Sequence, residues 1–209
     1  MTEINSSVSQ KYNVLSRFYD FIWRHYTKKT IGKAITMAGL KGREVLCDIG
    51  CGTGALEKSL LQVHPGLTVA ACDVSVGMIA RALKKLEGFS QITFYTGDLL
   101  QIPLEKGSFD CVFSLSNLHY FRDPEPIFRR AAELAKPGGV FILVDWRQNT
   151  LRGKLYQTFM RIVDRGFRKI YLPEEATLLF QKTGWRVERC ETFSVRGFWT
   201  MMCLRARKI

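Results

Sequence analysis

The chain has 209 residues, 46% of them hydrophobic and 24% charged. That length suits one ordinary domain, able to bury roughly two-thirds to three-quarters of the surface its unfolded chain exposes, and the composition excludes a disordered chain, a fibre and a disulfide-stapled miniprotein. The unusual quantity is the charge, with 31 Lys and Arg against 19 Asp and Glu for a net +12.

The excess is segregated. Residues 1–44 carry 8 basic and 3 acidic side chains, residues 45–145 carry 9 and 11, and residues 146–209 carry 14 and 5. A nearly neutral body therefore sits between two basic flanks. Cationic flanks suit a membrane surface, a nucleic acid or an acidic substrate, or simply serve solubility. The cysteines at 47, 51, 72, 111, 190 and 203 form no CxxC pair and show no ligand-like spacing to histidine, so no metal site is expected. Most of them lie in apolar runs, where a free thiol acts as a small hydrophobe, and a reducing cytoplasm is the compartment they suggest. The opening MTEINSSVSQ lacks an apolar h-region. No run approaches the roughly 18 apolar residues of a membrane span, so neither a leader nor a transmembrane helix is expected.

Residues 8–40 read as one or two helices bearing Tyr12, Phe18, Tyr19, Phe21, Trp23 and Tyr26. Strand-like runs at Val45–Ile49, Thr68–Cys72, Ile92–Tyr95, Cys111–Leu115 and Val140–Val144 then alternate with helical stretches at Leu56–Val63, Met78–Leu86 and Ile127–Ala135. Several of the runs show almost no polar alternation, as strands buried on both faces do. Strand and helix in alternation predict a parallel sheet covered by helices. Pro137-Gly138-Gly139 should end the third helix. Leu151–Ile170 reads as an amphipathic basic helix, Pro173-Glu174-Glu175 as the start of a short one, and Val187–Cys190 with Thr200–Leu204 as a terminal hairpin. The expected organisation is one domain: a helical cap (1–40), a core (41–145), a basic insertion (146–172) and a C-terminal helix with hairpin (173–209).

The densest chemistry lies in Cys47-Asp48-Ile49-Gly50-Cys51-Gly52-Thr53-Gly54, where a strand runs through three alternating glycines directly into a helix. Glycines there permit tight turning and close approach of backbone to a ligand, and the helix start offers unpaired N–H groups. Dinucleotide enzymes use GxGxxG, whereas this loop is GxGxG, its third glycine one position early. Asp73, 23 positions after Gly50, ends the second strand and is placed to accept from the hydroxyls of a ribose. Asp48 puts a carboxylate under the loop, which would repel a pyrophosphate and attract an ammonium group.

These residues resemble the class I S-adenosylmethionine-dependent methyltransferases over roughly residues 40–145. CDIGCGTG is similar to that family's first motif, Asp73 to its ribose-binding acid, and Tyr95–Leu99 to its adenine-binding segment. Phe109–Ser114 with Asn117-Leu118-His119 resembles the fourth-strand motif, and Leu134–Gly139 the turn before strand five. The resemblance implies an α/β fold: three layers, doubly wound, with a mainly parallel seven-stranded sheet of order 3-2-1-4-5-7-6 whose last strand is antiparallel. It implies S-adenosylmethionine as cofactor, S-adenosylhomocysteine as product, and contacts from Asp48, Gly50, Cys51, Gly52, Gly54, Asp73, Val74, Met78, Asp98, Leu99, Ser114, Leu115 and Asn117. Tyr12 and Tyr19 are lid residues by the same resemblance.

Methyl transfer from a sulfonium needs alignment and exclusion of water more than acid–base chemistry. Where the acceptor must lose a proton, His119 is the candidate catalytic base. Cys51 has no basic neighbour in sequence and is not read as a nucleophile. A small-molecule or lipid-like acceptor, drawn from an anionic membrane by the basic 151–170 stretch, fits both the motifs and the charge. Cytoplasmic location with peripheral membrane contact follows from that reading. The layout resembles quinone-biosynthesis and phospholipid methyltransferases, although Ser114–His119 lacks the arginine expected of quinone enzymes. A nucleic-acid acceptor ranks lower, because neither an Asn/Asp-Pro-Pro-aromatic signature nor a Pro-Cys nucleophile is present. A nicotinamide-dependent oxidoreductase and a non-catalytic cofactor- or membrane-binding module stay open as other classes.

Overall fold

A computed structural model describes residues 23–147, residues 157–195 apart from 159, 163 and 165, and residues 199–209. Helices and strands alternate over them: α1 (Arg24–Ala38), β1 (Val45–Ile49), α2 (Ala55–Val63), β2 (Thr68–Asp73), α3 (Val76–Lys85), β3 (Ile92–Thr96), β4 (Phe109–Leu115), α4 (Glu125–Leu134), β5 (Ala135–Trp146), α5 (Pro173–Lys182), β6 (Trp185–Val195) and β7 (Trp199–Lys208). Tyr12 and Tyr19 lie outside the described residues, as does the first part of the 151–170 stretch.

The seven strands form one sheet of order β3-β2-β1-β4-β5-β7-β6. Pairing is parallel from β3 to β5, and β7 runs antiparallel to both β5 and β6. This is the architecture the resemblance implies. The reason for burial on both faces is visible along β5: Val140, Ile142, Val144 and Trp146 enter the core beneath α1 and α2, while Phe141 and Leu143 enter the opposite core beneath α4 and α5. In that second core Phe141 meets Phe128, Phe180 and Trp185 at ring-centroid distances of 4.9, 5.1 and 5.3 Å, edge and tilted contacts that the ring quadrupoles favour.

Local chemistry fixes the ends of the elements. Gly39 takes the left-handed conformation that closes α1. Ser75 caps α3 by accepting from Met78 N–H, and Glu175 folds back to accept from Leu172 N–H at 2.9 Å where Pro173 opens α5. Two expectations change. Helix α4 ends at Leu134 because Ala135 is already extended and pairs with Phe109, so Pro137-Gly138-Gly139 lies within the first part of β5. Residues 160–162 are helical, but 166–170 are not. Asp164 draws the chain off the helix by accepting from Gly166 N–H at 3.1 Å, and Arg168 N–H donates to the carbonyl of His119. No described helix is long and apolar enough to cross a membrane.

Candidate active site

The crevice that open α/β sheets form at the carboxyl ends of parallel strands, where the strand order reverses, falls here at the ends of β1 and β4. From Ile49 the chain enters the glycine loop, which β2 clasps. Gly50 and Cys51 both donate their N–H to the carbonyl of Cys72, at 2.8 and 3.0 Å. Gly52 N–H donates to Asp73 Oδ2 at 2.9 Å, and Ser75 N–H to Asp73 Oδ1 at 2.8 Å. Each oxygen of that carboxylate thus spends one acceptor site on backbone and retains another. Burial pushes the Asp73 carboxyl above the ordinary range, while the Ser75 and Gly52 amides pull it back.

The three glycines of the loop differ in what surrounds them. A Cβ on Gly50, at φ +75°, would stand 2.2 Å from Asn117 Nδ2. That amide donates to the carbonyl of Ile49, and Ser114 Oγ donates to Asn117 Oδ1, so the ends of β1 and β4 are stapled through the space a side chain would take. Gly52, at φ +56°, faces open space: no atom lies within 4 Å of a Cβ built on it. Gly54 serves packing, since a Cβ there would come within 2.6 Å of Leu86 Cδ1.

Beneath the loop Asp48, on β1, and Glu57, on the first turn of α2, are 3% and 0% exposed. Burial, followed by the charge of Glu57, raises the Asp48 carboxyl well above its ordinary range, and burial raises Glu57. The Cys51 thiol is raised by burial and then by Glu57 and Asp73, so it is a protonated thiol. Val74 is partly exposed beside Asp73, and Met78 is buried with its N–H on Ser75 Oγ at 3.2 Å. Asp98, after β3, accepts from Leu100 N–H at 3.0 Å and is partly exposed, whereas Leu99 is buried. Ser114 is buried and Leu115 partly buried at the end of β4. The sequence-predicted residues that the structure describes therefore fall at the carboxyl ends of β1 to β4.

Next to them lies a second wall. Ser116 is, among the described residues, the non-glycine residue with positive φ, at 59°. Its Oγ is 2.7 Å from Tyr26 Oη, which also accepts from Trp146 Nε1 at 2.9 Å. The His119 ring stacks on Trp146 with centroids 4.2 Å apart and planes 6° from parallel, flanked by Tyr120 and Phe167. His119 Nδ1 is 2.7 Å from Asp145 Oδ1, and Asp145 Oδ2 accepts from Leu118 N–H at 2.8 Å. His119 is 2% exposed, so it is built into the wall and does not line its surface.

Sequence reasoning missed Glu57, Ser116, Asp145 and Trp146. Asp145 left a signal, as an acid directly after the apolar run Val140–Val144. Glu57 left no signal, since the macrodipole favours an acid in any helix's first turn.

A family model described as a methyltransferase domain matches residues 47–143. The demethylmenaquinone methyltransferase of Lactococcus lactis is 32% identical over 156 residues, covering 71% of this chain and 59% of that protein. The malonyl-[acyl-carrier protein] O-methyltransferase of Hahella chejuensis is 29% identical over 138 residues, covering 66% and 48%. Among the curated relatives, the chain spans from 26% to 59% of the length of the first five. The crystal structure of the [4+2]-cyclase SpnF superposes with a TM-score of 0.83 at 18% identity, covering 96% of this chain and 94% of that one. At that identity the likeness is one of fold.

Gly50 and Gly52 separate by experiment. Gly52→Ala should cost about 1–2 kcal/mol, from the left-handed backbone alone. Gly50→Ala, which also drives a methyl into Asn117, should cost at least about 1 kcal/mol more. Urea unfolding of both variants measures the difference, and equal losses would contradict the staple.

Proposed function

Since the chain belongs to the class I S-adenosylmethionine-dependent methyltransferases, we propose that it transfers the methyl group of S-adenosylmethionine to a small apolar or lipid-like acceptor. SpnF shares the fold under the name of a cyclase, so fold alone does not assign the reaction. What carries the reading is Asp73: its carboxylate is held by two backbone amides with two acceptor sites left, beside the open face of Gly52. A pair of ribose hydroxyls satisfies that carboxylate. Asp48, buried under the loop, suits an ammonium group, and Asp98 with the backbone after it suits an adenine.

When bound, the cofactor supplies an electrophilic methyl group on a sulfonium. The residues of the chain do the rest by position. Gly50 to Gly54 carry the amino-acid end, Asp73 and Val74 the ribose, and Asp98, Leu99 and Met78 surround the base. Ser114, Leu115 and Asn117 hold the edge of β4 against β1. The wall of Tyr26, Ser116, Tyr120 and Trp146 faces the acceptor, largely aromatic with three hydroxyls, which suits an apolar molecule bearing a small polar group. Stabilisation by S-adenosylhomocysteine and none by NAD(H) or NADP(H) in a thermal-shift assay is the expected result. Asp73→Ala should weaken S-adenosylhomocysteine binding by about 1.5–3 kcal/mol in calorimetry, and unchanged affinity would remove the assignment.

We assign His119 a positioning role, since its ring is buried and its carbonyl and Nδ1 fasten the 166–170 segment and Asp145 together. His119→Gln should lower kcat about tenfold or more while leaving the shape of the pH–rate profile intact. Loss of a limb of that profile would restore it as the base.

Peripheral contact with an anionic membrane completes the proposal. It is supported by the exposed Arg161 beside Ile162, which is 77% exposed, a pairing of cation and apolar side chain that suits a lipid interface. The chain should co-sediment with anionic liposomes at low salt and be released at high salt, and failure to co-sediment would sink this part of the reading.

A further inference from the structure

Two acids beneath the glycine loop present a problem of hydrogen bonding. Asp48 Oδ1 and both carboxyl oxygens of Glu57 are buried without a donor among the described residues when each group is taken as ionised. Yet the two side chains are within hydrogen-bonding reach of one another. Two carboxylates cannot hydrogen-bond, because neither has a hydrogen to give; a carboxylic acid and a carboxylate can. Leaving both ionised and buried would be costly, and like charges so close suppress the second ionisation. One proton between them resolves both difficulties.

We propose that Glu57 is a positioning residue of the cofactor site: with Asp48 it holds a single proton beneath the loop, and the pair releases that proton to solvent when the cofactor's ammonium group arrives. This rests on the cofactor reading above. The balance is simple. The acid–carboxylate pair, carrying one negative charge, becomes two carboxylates facing one ammonium, and one proton leaves. No bond other than O–H breaks. In the free protein the shared proton keeps the Asp48 carboxyl turned and capped by Glu57; in the bound state the same two oxygens present a concentrated negative field to the ammonium.

The other titratable groups around the pair do not supply this proton in the same way. Lys85, on α3, faces Glu57 and donates to Thr53 Oγ1 at 2.7 Å. Cys47, Cys51 and Cys72, from β1, the loop and β2, are held as thiols by burial. Asp73, from β2, is satisfied by two amides as an ionised group. Whatever Asp73 contributes on ligand binding persists when Glu57 is changed, which is what makes the assignment testable.

The measurement is isothermal titration calorimetry of the full chain with S-adenosylhomocysteine at pH 6.5, repeated in buffers of different ionisation enthalpy. At that pH the ligand's α-amino group is already protonated. The wild type should release about one proton per ligand bound. Glu57→Gln, which keeps a donor for Asp48 but cannot ionise, should release close to none and still bind within about tenfold of wild type, a factor worth about 1.4 kcal/mol. Should that variant not fold, Glu57→Met removes the same titration. Binding by the wild type without proton release overturns the proposal, as does undiminished release in the Glu57 variants. Absence of any S-adenosylhomocysteine binding to the wild type would instead overturn the cofactor reading, and this proposal with it.

Discussion

Three successive amides of the glycine loop are bonded to two successive residues of β2, and the geometry of the site depends on that clasp. Cys72 offers its carbonyl to Gly50 and Cys51, and Asp73 its carboxylate to Gly52. Cys72 is itself in register with Ile49 on β1 and Tyr95 on β3, so the position of the loop is set by the sheet and not by the loop's own preferences. The consequence for binding is preorganisation. Asp73 is locked by Gly52 and Ser75 before any ligand arrives, so little ordering remains to oppose association. A single acid therefore closes the loop and, on the proposed reading, would meet the ligand, which ties the stability of the loop to the chemistry of the site.

Charge is arranged around that clasp in a consistent way. Asp48, Glu57 and Asp73 gather near the loop with Lys85 as the cation facing them, which accounts for the slight acidic balance of residues 45–145. On the flanks the cations find local partners. Glu188 is held below the ordinary carboxylate range by Arg207 and then Arg205, Lys33 pairs with Glu191, and Lys169 with Glu175. Exposed pairs of this kind contribute little to stability. Their effect is to occupy the few carboxylates of the C-terminal third, leaving its remaining cations to set the potential of that face.

What could be read from the sequence was local. The β1 run, the glycines and the acid ending β2 sit within one short supersecondary unit, so spacing alone reports them. The sheet order required the family resemblance, because parallel strands meet through crossovers that no periodicity encodes. The 151–170 stretch misled for a physical reason: Phe167 and Ile170 are buried as their helical spacing suggested, but they reach the core from non-helical chain once Asp164 and His119 have captured the neighbouring amides. Glu57 was illegible because a first-turn acid on an exposed helix and one turned inward beneath a loop have the same sequence signature.

The aromatic wall proposed to meet the acceptor lies furthest from local inference. Tyr26 comes from α1, Ser116 from the end of β4 and Trp146 from the end of β5, separated by 90 and 120 residues along the chain from Tyr26. Ser116 adopts a left-handed backbone that a non-glycine residue takes up only when its surroundings impose it. Here its N–H is fixed to the carbonyl of Val144 at 2.7 Å and its hydroxyl to Tyr26. Trp146 then carries the constraint to His119 by stacking, and His119 to the 166–170 segment through its carbonyl. Helix α1, the strand ends and residues 166–170 are thus one connected structure beside the glycine loop. The described parts of the basic flanks, α1 and residues 166–170, belong to that same structure, so on the proposed reading the face that would meet an anionic surface and the wall that would select the acceptor are mechanically linked.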